Sequence, residues 1–490
     1  MKKTRLTALL LTLALLFGLS LSGFAAPAET ANESAAASEP AQTEPVQTEA
    51  PQSTATEPDA PAPLKEYGLP VDYEVEATAA ALIELNSDTL AYGYNIDKRI
   101  YPASLTKIMT CMVAIKNGHM NDLVTVTESS LADFDPNGSS AGLKIGEQLT
   151  LRELLYCIMV ESANDACDVV AEYIAGDIDT YVQMMNDQAK ALGMTSTHYV
   201  NTHGMHDSEH YTTVRDLSTL SRWAWQYEEF QEFATTTMHT VPATNLSDER
   251  KIYTTNYLVS THIQSQYYYS KASGIKTGFT TPAGCCLIST AKDKGLYFMS
   301  IVCGCEMRKD SNGADYDMRF PVSKKLFEYG FDHFSFVQVL TDTKMQDQPS
   351  VLYAAGRGDV VVHAAQKVSV LLPDSCKRSD IRMELHYDTE QLEAPLTQGQ
   401  RVGTVSAVYD GHTLATCDLV TLTAVSRSSP IAVAEKSDNF FARMVAKLLR
   451  YWYLSVPVTL LFFLVCALLI VRWHNIRKAK RRHGRRRARR

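Results

Sequence analysis

The feature that most constrains this chain is an uncharged, strongly apolar run close to its C terminus. The run YLSVPVTLLFFLVCALLIV, at 453–471, is just long enough to cross the hydrocarbon core of a bilayer as a helix. The tail that follows, 472–490, contains 11 Lys and Arg residues and no acidic residue. Because basic residues are retained on the cytoplasmic side of a membrane, the pattern predicts a single span with a cytoplasmic tail and an extracellular remainder.

The N terminus has the three-part layout of a secretory signal peptide. A basic MKKTR is followed by a long apolar run and then by the small residues Ala26-Pro27-Ala28, so residues 1–28 are predicted to be a cleaved signal. The alternative is an uncleaved anchor helix. Residues 29–65 are rich in Ala, Glu, Pro and Thr and show no periodicity, which predicts a disordered linker.

The charge is distributed unevenly along the chain. The formal net charge is −8, to which the tail contributes +11 and the segment 1–28 contributes +3, so the segment 29–471 carries −22. An exterior this acidic argues against nucleic acid as a partner. The basic tail instead suits anionic lipid headgroups at the membrane surface.

Between the ends, the hydrophobic patterns change twice. A strand pair at 78–85 and 89–94, a block of helices and then returning strands predict an α/β domain over 66–335, with helices packed on a sheet. Short alternating strands predict a small all-β, sandwich-like domain over 336–428, and an amphipathic pattern predicts a helix over 429–452 leading into the membrane. The helical patterns of the first domain run over 104–117, from a capping box at Thr150 to Glu153, through ACDVVAEYIA and through TYVQMMNDQAKAL.

The ten cysteines do not have the spacing of a disulfide framework or of a zinc site. Three fall in apolar helical patterns, one falls in the membrane run, and four fall in two neighbouring strand-like runs: Cys111, Cys157 and Cys167; Cys466; and Cys285, Cys286, Cys303 and Cys305. Most are predicted to be small buried hydrophobic residues. One bridge between the two strands stays open.

The stretch YPASLTKIMT, at 101–110, places Ser104 three residues before Lys107 at the predicted start of a helix. Residues three apart share a helix face, so the Lys107 amine can reach the Ser104 hydroxyl. A serine hydroxyl becomes a good nucleophile when a base takes its proton, and lysine can be that base when burial lowers its pKa. The alternative is a helix-capping serine beside a solvated lysine, and this stretch alone leaves both readings open.

Two further short motifs can supply chemistry. Ser162-Ala-Asn164 falls between two helical patterns, where a hydroxyl and a carboxamide could relay a proton and hold a substrate amide; the alternative is an ordinary helix cap. Lys276-Thr277-Gly278 is predicted to open a strand, where a cation, a hydroxyl and a bare glycine suit an extended anionic peptide. The alternative there is a surface lysine before a strand glycine.

The three motifs together are far more specific than any one of them. S-x-x-K at 104–107 is followed by S-x-N at 162–164 and then by K-T-G at 276–278, an order that resembles the penicillin-binding protein and serine β-lactamase superfamily. The strings YPASLTKIMT, LKIGEQLTLRELLYCIMVESANDAC, HYTTVRDL and GIKTGFTTPAGCCLISTA are similar to the low-molecular-weight D-alanyl-D-alanine carboxypeptidases, the S11 serine peptidases. The likeness covers about residues 70–330, and the β domain with a membrane segment matches the layout of that family.

The resemblance implies a function and a set of site residues. The expected activity is that of a serine D-Ala-D-Ala carboxypeptidase that removes the terminal D-alanine of peptidoglycan stem pentapeptides through an acyl-enzyme, is acylated by β-lactams and uses no metal or cofactor. The implied roles are Ser104 as nucleophile, Lys107 as general base, Ser162 as proton relay, Asn164 as a holder of the substrate amide, Lys276 and Thr277 as carboxylate ligands beside Gly278, the N–H groups of Ser104 and Phe279 as oxyanion hole, and His210-Tyr211 as support of the cleft floor.

Two rival functions and two departures from the family accompany this prediction. A serine β-lactamase shares S-x-x-K and K-T-G, but no E-x-x-L-N string lies between Ser162 and Lys276. A catalytically silent wall-binding or β-lactam-sensing protein is the second rival, and the intact three motifs argue against it. The chain departs from the family in its full membrane span with a basic tail and in Cys285-Cys286, which leave the chemistry unaltered.

Overall fold

The structure is a computed structural model that describes residues 58–132, 135, 138–435 and 437–487. The predicted signal peptide and residues 29–57 of the predicted linker lie outside the described residues.

The last part of the predicted linker, 58–65, lies against the first domain. The Trp223 indole donates to the carbonyl of Pro58 at 3.3 Å, and the Arg222 guanidinium donates to the carbonyl of Ala62 at 2.9 Å. The sequence therefore sets the beginning of the ordered chain too late. The reason is physical: these contacts use backbone carbonyls, which every residue has, so composition does not predict them.

The first domain is built on a five-stranded antiparallel sheet with strand order β2-β1-β9-β8-β7. The strands of the domain are β1 (Ala79–Glu84), β2 (Thr89–Tyr94), β3 (Leu123–Thr125), β4 (Gln148–Thr150), β5 (Met238–Val241), β6 (Arg250–Tyr253), β7 (Ala272–Thr280), β8 (Gly284–Asp293), β9 (Leu296–Cys305), β10 (Met307–Lys309) and β11 (Asp315–Asp317). The sheet joins the two ends of the domain, because β1, the first strand of the chain, pairs with β9. Strand β7 is left as an open edge.

Helices cover both faces of this sheet. They are α1 (Lys107–Asn117), α2 (Leu151–Tyr156), α3 (Asn164–Ala175), α4 (Ile178–Ala191), α5 (Val214–Ala224), α6 (Glu228–Thr235) and α7 (Arg319–His333). Helix α1 is buried over residues 107–114, so it forms the centre of one core together with the other helices before β7. Helix α7 packs on the opposite face and closes a second core. The predicted α/β fold is thereby confirmed.

Two local predictions differ from the structure in detail. The Thr150 side chain accepts from the Glu153 N–H at 3.3 Å, but the Glu153 carboxylate bonds to His239 at 2.7 Å, so only half of the capping box forms. Lys276 lies within β7, which already begins at Ala272. The K-T-G motif therefore does not open its strand.

The second domain is all β, as predicted. Its strands are β12 (Phe334–Leu340), β13 (Met345–Asp347), β14 (Val351–Leu352), β15 (Val362–Ala364), β16 (Val368–Pro373), β17 (Arg382–Tyr387), β18 (Leu392–Glu393), β19 (Arg401–Tyr409) and β20 (His412–Thr421). A five-stranded sheet of order β13-β15-β20-β19-β17 is accompanied by the pairs β12-β16 and β14-β18. The alternation of apolar residues along these strands buries a core of its own.

The C-terminal segment is helical. It contains α8 (Pro430–Glu435), α9 (Phe440–Arg450) and α10 (Trp452–Arg487). Within α10, Trp452–Lys478 is long and apolar enough to cross a membrane, and it includes the predicted span 453–471. Helix α9 exposes Phe440, Phe441 and Leu448, as expected for an amphipathic helix beside a membrane.

All ten cysteines are free thiols, and nine of them are buried. Cys285 faces Cys305 directly across β8 and β9, and Cys286 and Cys303 lie in the core on the other face of the sheet. The bridge that the sequence left open is not formed in this structure.

Candidate active site

Ser104 lies in one turn of 3-10 helix, Ala103–Thr106, that runs directly into α1. Lys107 is the first residue of α1, so the three-residue spacing sets its amine beside the Ser104 hydroxyl, with an Nζ–Oγ distance of 3.2 Å. Ser104 is half-buried and faces a cleft, whereas Lys107 is completely buried. Lys107 is therefore not a solvated lysine, and its amine lies within reach of the Ser104 hydroxyl.

The Lys107 amine is held by two further acceptors. It donates to Oδ1 of Asn164 at 2.6 Å and to the carbonyl oxygen of His203 at 2.7 Å. Burial lowers the pKa of Lys107, because removal from water penalises the charged ammonium. The lowered pKa favours the neutral amine, which is the form that can accept a proton.

Ser162 owes its place to an unusual backbone. Helix α2 gives way to a π-helical turn, Cys157–Glu161, and Ser162 follows it in the left-handed region at φ 65°. This turn directs its hydroxyl to the Lys276 amine at 2.9 Å, while Asn164 begins α3 and reaches Lys107. The second motif therefore connects the lysines of the first and third motifs.

Lys276 is a second completely buried lysine. Burial lowers its pKa well below the ordinary value, and the nearby charge of Lys107 lowers it further. A substrate carboxylate brought to this amine would restore the charged form, because an opposite charge favours the ammonium.

The edge strand β7 passes close to Ser104 at Gly278. A β-carbon added to Gly278 would lie 3.0 Å from the backbone nitrogen of Ser104 and 3.1 Å from the carbonyl oxygen of Pro102. Glycine suits this position because a β-carbon would be packed more tightly than usual against two backbone atoms. The Gly278 carbonyl accepts from the Arg319 guanidinium at 2.8 Å, so the N–H of the same peptide unit, on Phe279, points away from Arg319.

The three motifs line one cleft of about 640 Å³. Its walls contain Ser104, Ser162, Asn164, Thr277, Gly278 and Phe279 together with Asp135, Gly138, Ser139, Met205, His206, Thr255, Tyr257, Thr280, Thr281, Pro282, Asp317, Arg319 and Phe320. Lys107 and Lys276 lie behind this surface and bond to its polar groups. The eight residues proposed from the sequence for catalysis and substrate binding are therefore in or directly behind the cleft. Among the described residues, no group of three or more His, Cys, Asp or Glu side chains could hold a metal ion.

His210 braces the turn that carries the nucleophile. The Val200 N–H donates to Nδ1 of His210 at 3.1 Å, so the ring proton is on Nε2, 2.8 Å from the hydroxyl of Thr106. That hydroxyl donates in turn to the carbonyl of Ala103 at 2.8 Å. The support expected from His210 is thus directed at the residue before Ser104.

Sequence reasoning missed three contributors. The His203 carbonyl holds Lys107, Thr255 bonds to the hydroxyl of Thr277 at 2.5 Å, and Arg319 fixes the Gly278 carbonyl. None of the three belongs to a motif, and the first acts through its backbone. Only the fold brings them to the cleft.

Acid is expected to destabilise the protein through two buried histidines. Burial lowers the pKa of His203 to about 3 and that of His210 to about 4, whereas an unfolded chain titrates at 6.5. Their contribution to stability is therefore complete above pH 6.5 and is lost as the pH falls towards 4, by about 1.4 kcal/mol per pH unit for each histidine.

Urea unfolding of the detergent-solubilised chain between pH 7.5 and pH 4.5 measures this effect. His210→Gln should reduce the slope of the unfolding free energy against pH, whereas His119→Gln, at an exposed position, should not. An equal slope for wild type and His210→Gln would contradict the expectation.

The fold and the cleft define the class of the molecule: a DD-peptidase domain of the penicillin-binding type followed by a β domain. The family model for D-alanyl-D-alanine carboxypeptidase, peptidase S11, matches residues 65–307, and the model for the C-terminal domain of penicillin-binding protein 5 matches residues 344–427. The chain belongs to the S11 family of serine D-alanyl-D-alanine carboxypeptidases, and the function predicted from the three motifs is confirmed.

Individual relatives agree with this assignment over most of their length. The chain is 28% identical to the D-alanyl-D-alanine carboxypeptidase DacF of Bacillus subtilis, covering 69% of this chain and 83% of that protein. It is 29% identical to DacA of Escherichia coli, covering 76% and 87%. The crystal structure of penicillin-binding protein 5 from Haemophilus influenzae superimposes with a TM-score of 0.54 at 27% identity, covering 73% of this chain and 99% of that one.

Proposed function

We propose that Ser104 is the acylated nucleophile of this carboxypeptidase and that Lys107 is its general base. The observation that carries the proposal is the continuous hydrogen-bonded contact of the Lys107 amine with both the Ser104 hydroxyl and the Asn164 carboxamide. The neutral amine takes the proton of Ser104 Oγ while that oxygen attacks the carbonyl of the penultimate D-alanine. The penicillin-binding activity of the family follows from the same step, in which Oγ opens a β-lactam ring.

The substrate lies as an additional strand along the open edge of β7. Its terminal carboxylate meets Lys276 and the hydroxyl of Thr277, and Asn164 holds an amide of the acyl side. The oxyanion that develops on the attacked carbonyl accepts hydrogen bonds from the backbone N–H groups of Ser104 and Phe279. The nearness of Gly278 to the Ser104 nitrogen supports this arrangement, since it brings the two donors together.

Expulsion of the terminal D-alanine requires a proton on its amine. Ser162 is suited to deliver that proton from its hydroxyl, which the Lys276 amine contacts at 2.9 Å. The proton that Lys107 took from Ser104 then replaces the one that Ser162 gave, and this returns Lys107 to its neutral form. The C–N bond breaks, free D-alanine leaves and an ester with Ser104 Oγ stays. Water, deprotonated by Lys107, then hydrolyses the ester and restores the serine.

The substrate is the D-Ala-D-Ala end of a peptidoglycan stem pentapeptide, and the site faces the cell wall. Residues 1–28 are a signal peptide, residues 66–335 and 336–428 are the two extracellular domains, and the tail from 472 lies in the cytoplasm. The apolar part of α10 and the 11 basic residues that follow the span support this orientation.

Substitution of Ser104 by alanine tests the nucleophile. Ser104→Ala is expected to abolish D-alanine release from a pentapeptide ending in D-Ala-D-Ala and to abolish the mass increase caused by benzylpenicillin. Ser289→Ala is the matched control, because this serine also precedes a lysine by three residues but lies buried in β8 away from the cleft. A penicillin adduct on Ser104→Ala would refute the assignment, and rapid penicillin turnover by the wild type would favour the β-lactamase reading.

A further inference from the structure

A second, smaller pocket of about 220 Å³ opens beside the cleft. It is lined by Thr78, Arg99, Ile100, Tyr101, Ser208, Pro282, Ala283 and Gly304. Pro282 lines both the pocket and the cleft, and the Tyr101 ring in the pocket contacts the His206 ring of the cleft at 4.6 Å between centroids. The pocket therefore continues the cleft past the end of β7.

Arg99 is the charged group of this pocket. Its guanidinium carbon lies 3.0 Å from the centroid of the Tyr211 ring, and in the described part of the chain no carboxylate lies within 4 Å of it. Other arginines of the domain are already neutralised, since Arg215 pairs with Asp97 and Arg319 pairs with an aspartate of the cleft wall. A guanidinium stacked on a ring keeps its N–H edge available for a carboxylate.

The backbone holds Arg99 in a fixed position. Ile100 and Thr212 exchange two backbone hydrogen bonds of 2.9 Å, so the segment that carries Arg99 is paired with the segment that carries Tyr211. A side chain stacked on a ring that is itself anchored loses little freedom when it binds a ligand. The pocket is thus prepared for one planar anion.

A peptide bound along β7 reaches this pocket with its acyl-side residues. Gly278, beside Ser104, is followed by two more residues of β7 and then by the turn 281–283, which contains Pro282, so the path from Gly278 to Pro282 is shorter than the ~13 Å of a fully extended chain. Two to three extended residues before the scissile bond span about 7–10 Å, which reaches the turn that the two cavities share. In a stem pentapeptide the third residue back is a D-glutamate linked through its γ-carboxyl, and its α-carboxylate is free.

We infer that this pocket binds a carboxylate of the acyl-side part of the stem peptide and that Arg99 is the residue that selects it. The inference rests on the proposed function, because it needs the substrate to extend along β7 from Ser104. The free α-carboxylate of the γ-linked D-glutamate is the group that matches the distance. Amidation of that carboxylate removes the charge, so the pocket discriminates between free and amidated stem peptides.

The test uses the detergent-solubilised full chain and two peptides, L-Ala-γ-D-Glu-L-Lys-D-Ala-D-Ala and the same peptide with an α-carboxamide on its glutamate. The measured quantity is the ratio of kcat/KM for D-alanine release from the first peptide to that from the second. Arg99→Gln should lower this ratio about five- to tenfold through KM, the size expected for a charge-assisted hydrogen bond near a surface. Lys98→Gln, at the exposed neighbouring cation, should leave the ratio as in the wild type.

The other outcomes are equally informative. A ratio that Arg99→Gln does not move, or an equal loss on both peptides, overturns the inference and leaves Arg99 as a support for Tyr211. A third peptide carries the α-carboxamide on glutamate and diaminopimelate in place of lysine. If Arg99→Gln lowers kcat/KM only for this peptide, the pocket binds the carboxylate of diaminopimelate. If the wild type releases no D-alanine, the proposed function fails, and the affinities of both peptides for Ser104→Ala, with and without Arg99→Gln, still decide the role of Arg99.

Discussion

Lys107→Met is expected to lower kcat/KM for D-alanine release by at least about a thousandfold, within the range for loss of a general base. The free energy of unfolding should change little, because removal of a completely buried amine whose burial disfavours its charged form offsets the loss of its bonds to Asn164 and His203. A loss of activity without a loss of stability is the signature of a catalytic lysine. D-alanine release and pre-steady-state acylation by benzylpenicillin measure the loss of activity, and urea unfolding measures the stability.

Lys116→Met on the same helix is the matched control. Lys116 lies exposed near the C-terminal end of α1, where its amine donates to Gln188 at 2.7 Å, so this variant should retain activity. Near-normal acylation of Lys107→Met would contradict the assignment and would move the role of base to Lys276 acting through Ser162.

The residues proposed within each motif lie close together in the structure because local chain geometry fixes their spacing. Ser104 and Lys107 meet through helical spacing, and Ser162 and Asn164 are brought together by a short link between helices. The order of strands, by contrast, depends on pairing between distant segments. Strand β7 is an edge of the sheet because it pairs with β8 on one side and with none of the described strands on the other. No residue of K-T-G predicts that position.

Groups that act through their backbone cannot be found in the sequence. The His203 carbonyl is an acceptor for Lys107 only because the loop of residues 201–205 passes under α1. Arg319 does use its side chain on the Gly278 carbonyl, but it comes from the start of α7, far along the chain. Such contacts are properties of the packed fold, and they decide how rigidly the predicted residues are held.

Gly204→Ala is expected to lower both activity and stability strongly, although Gly204 belongs to none of the three motifs. A β-carbon at this position would lie 1.8 Å from the carbonyl oxygen of Ala103, the residue before the nucleophile, and 2.9 Å from the hydroxyl of Thr106. The turn that carries Ser104 must move to relieve this overlap. A displacement of about 1 Å at the nucleophile lowers kcat/KM about a hundredfold, and the overpacking costs about 3 kcal/mol of unfolding free energy.

Gly295→Ala separates the contact from the backbone conformation. Gly204 and Gly295 both have positive φ, +89° and +79°, but nothing lies within 4 Å of a β-carbon at Gly295. Gly295→Ala should therefore show only the cost of the left-handed conformation, about 1 kcal/mol, with full activity. The contrary result is that Gly204→Ala matches Gly295→Ala in both unfolding free energy and kcat/KM. In that case the loop 201–205 can shift without cost, and the position of Ser104 does not depend on this loop. A larger loss for Gly204→Ala alone means that the nucleophile is positioned by a backbone contact that leaves no mark in the motif that contains it.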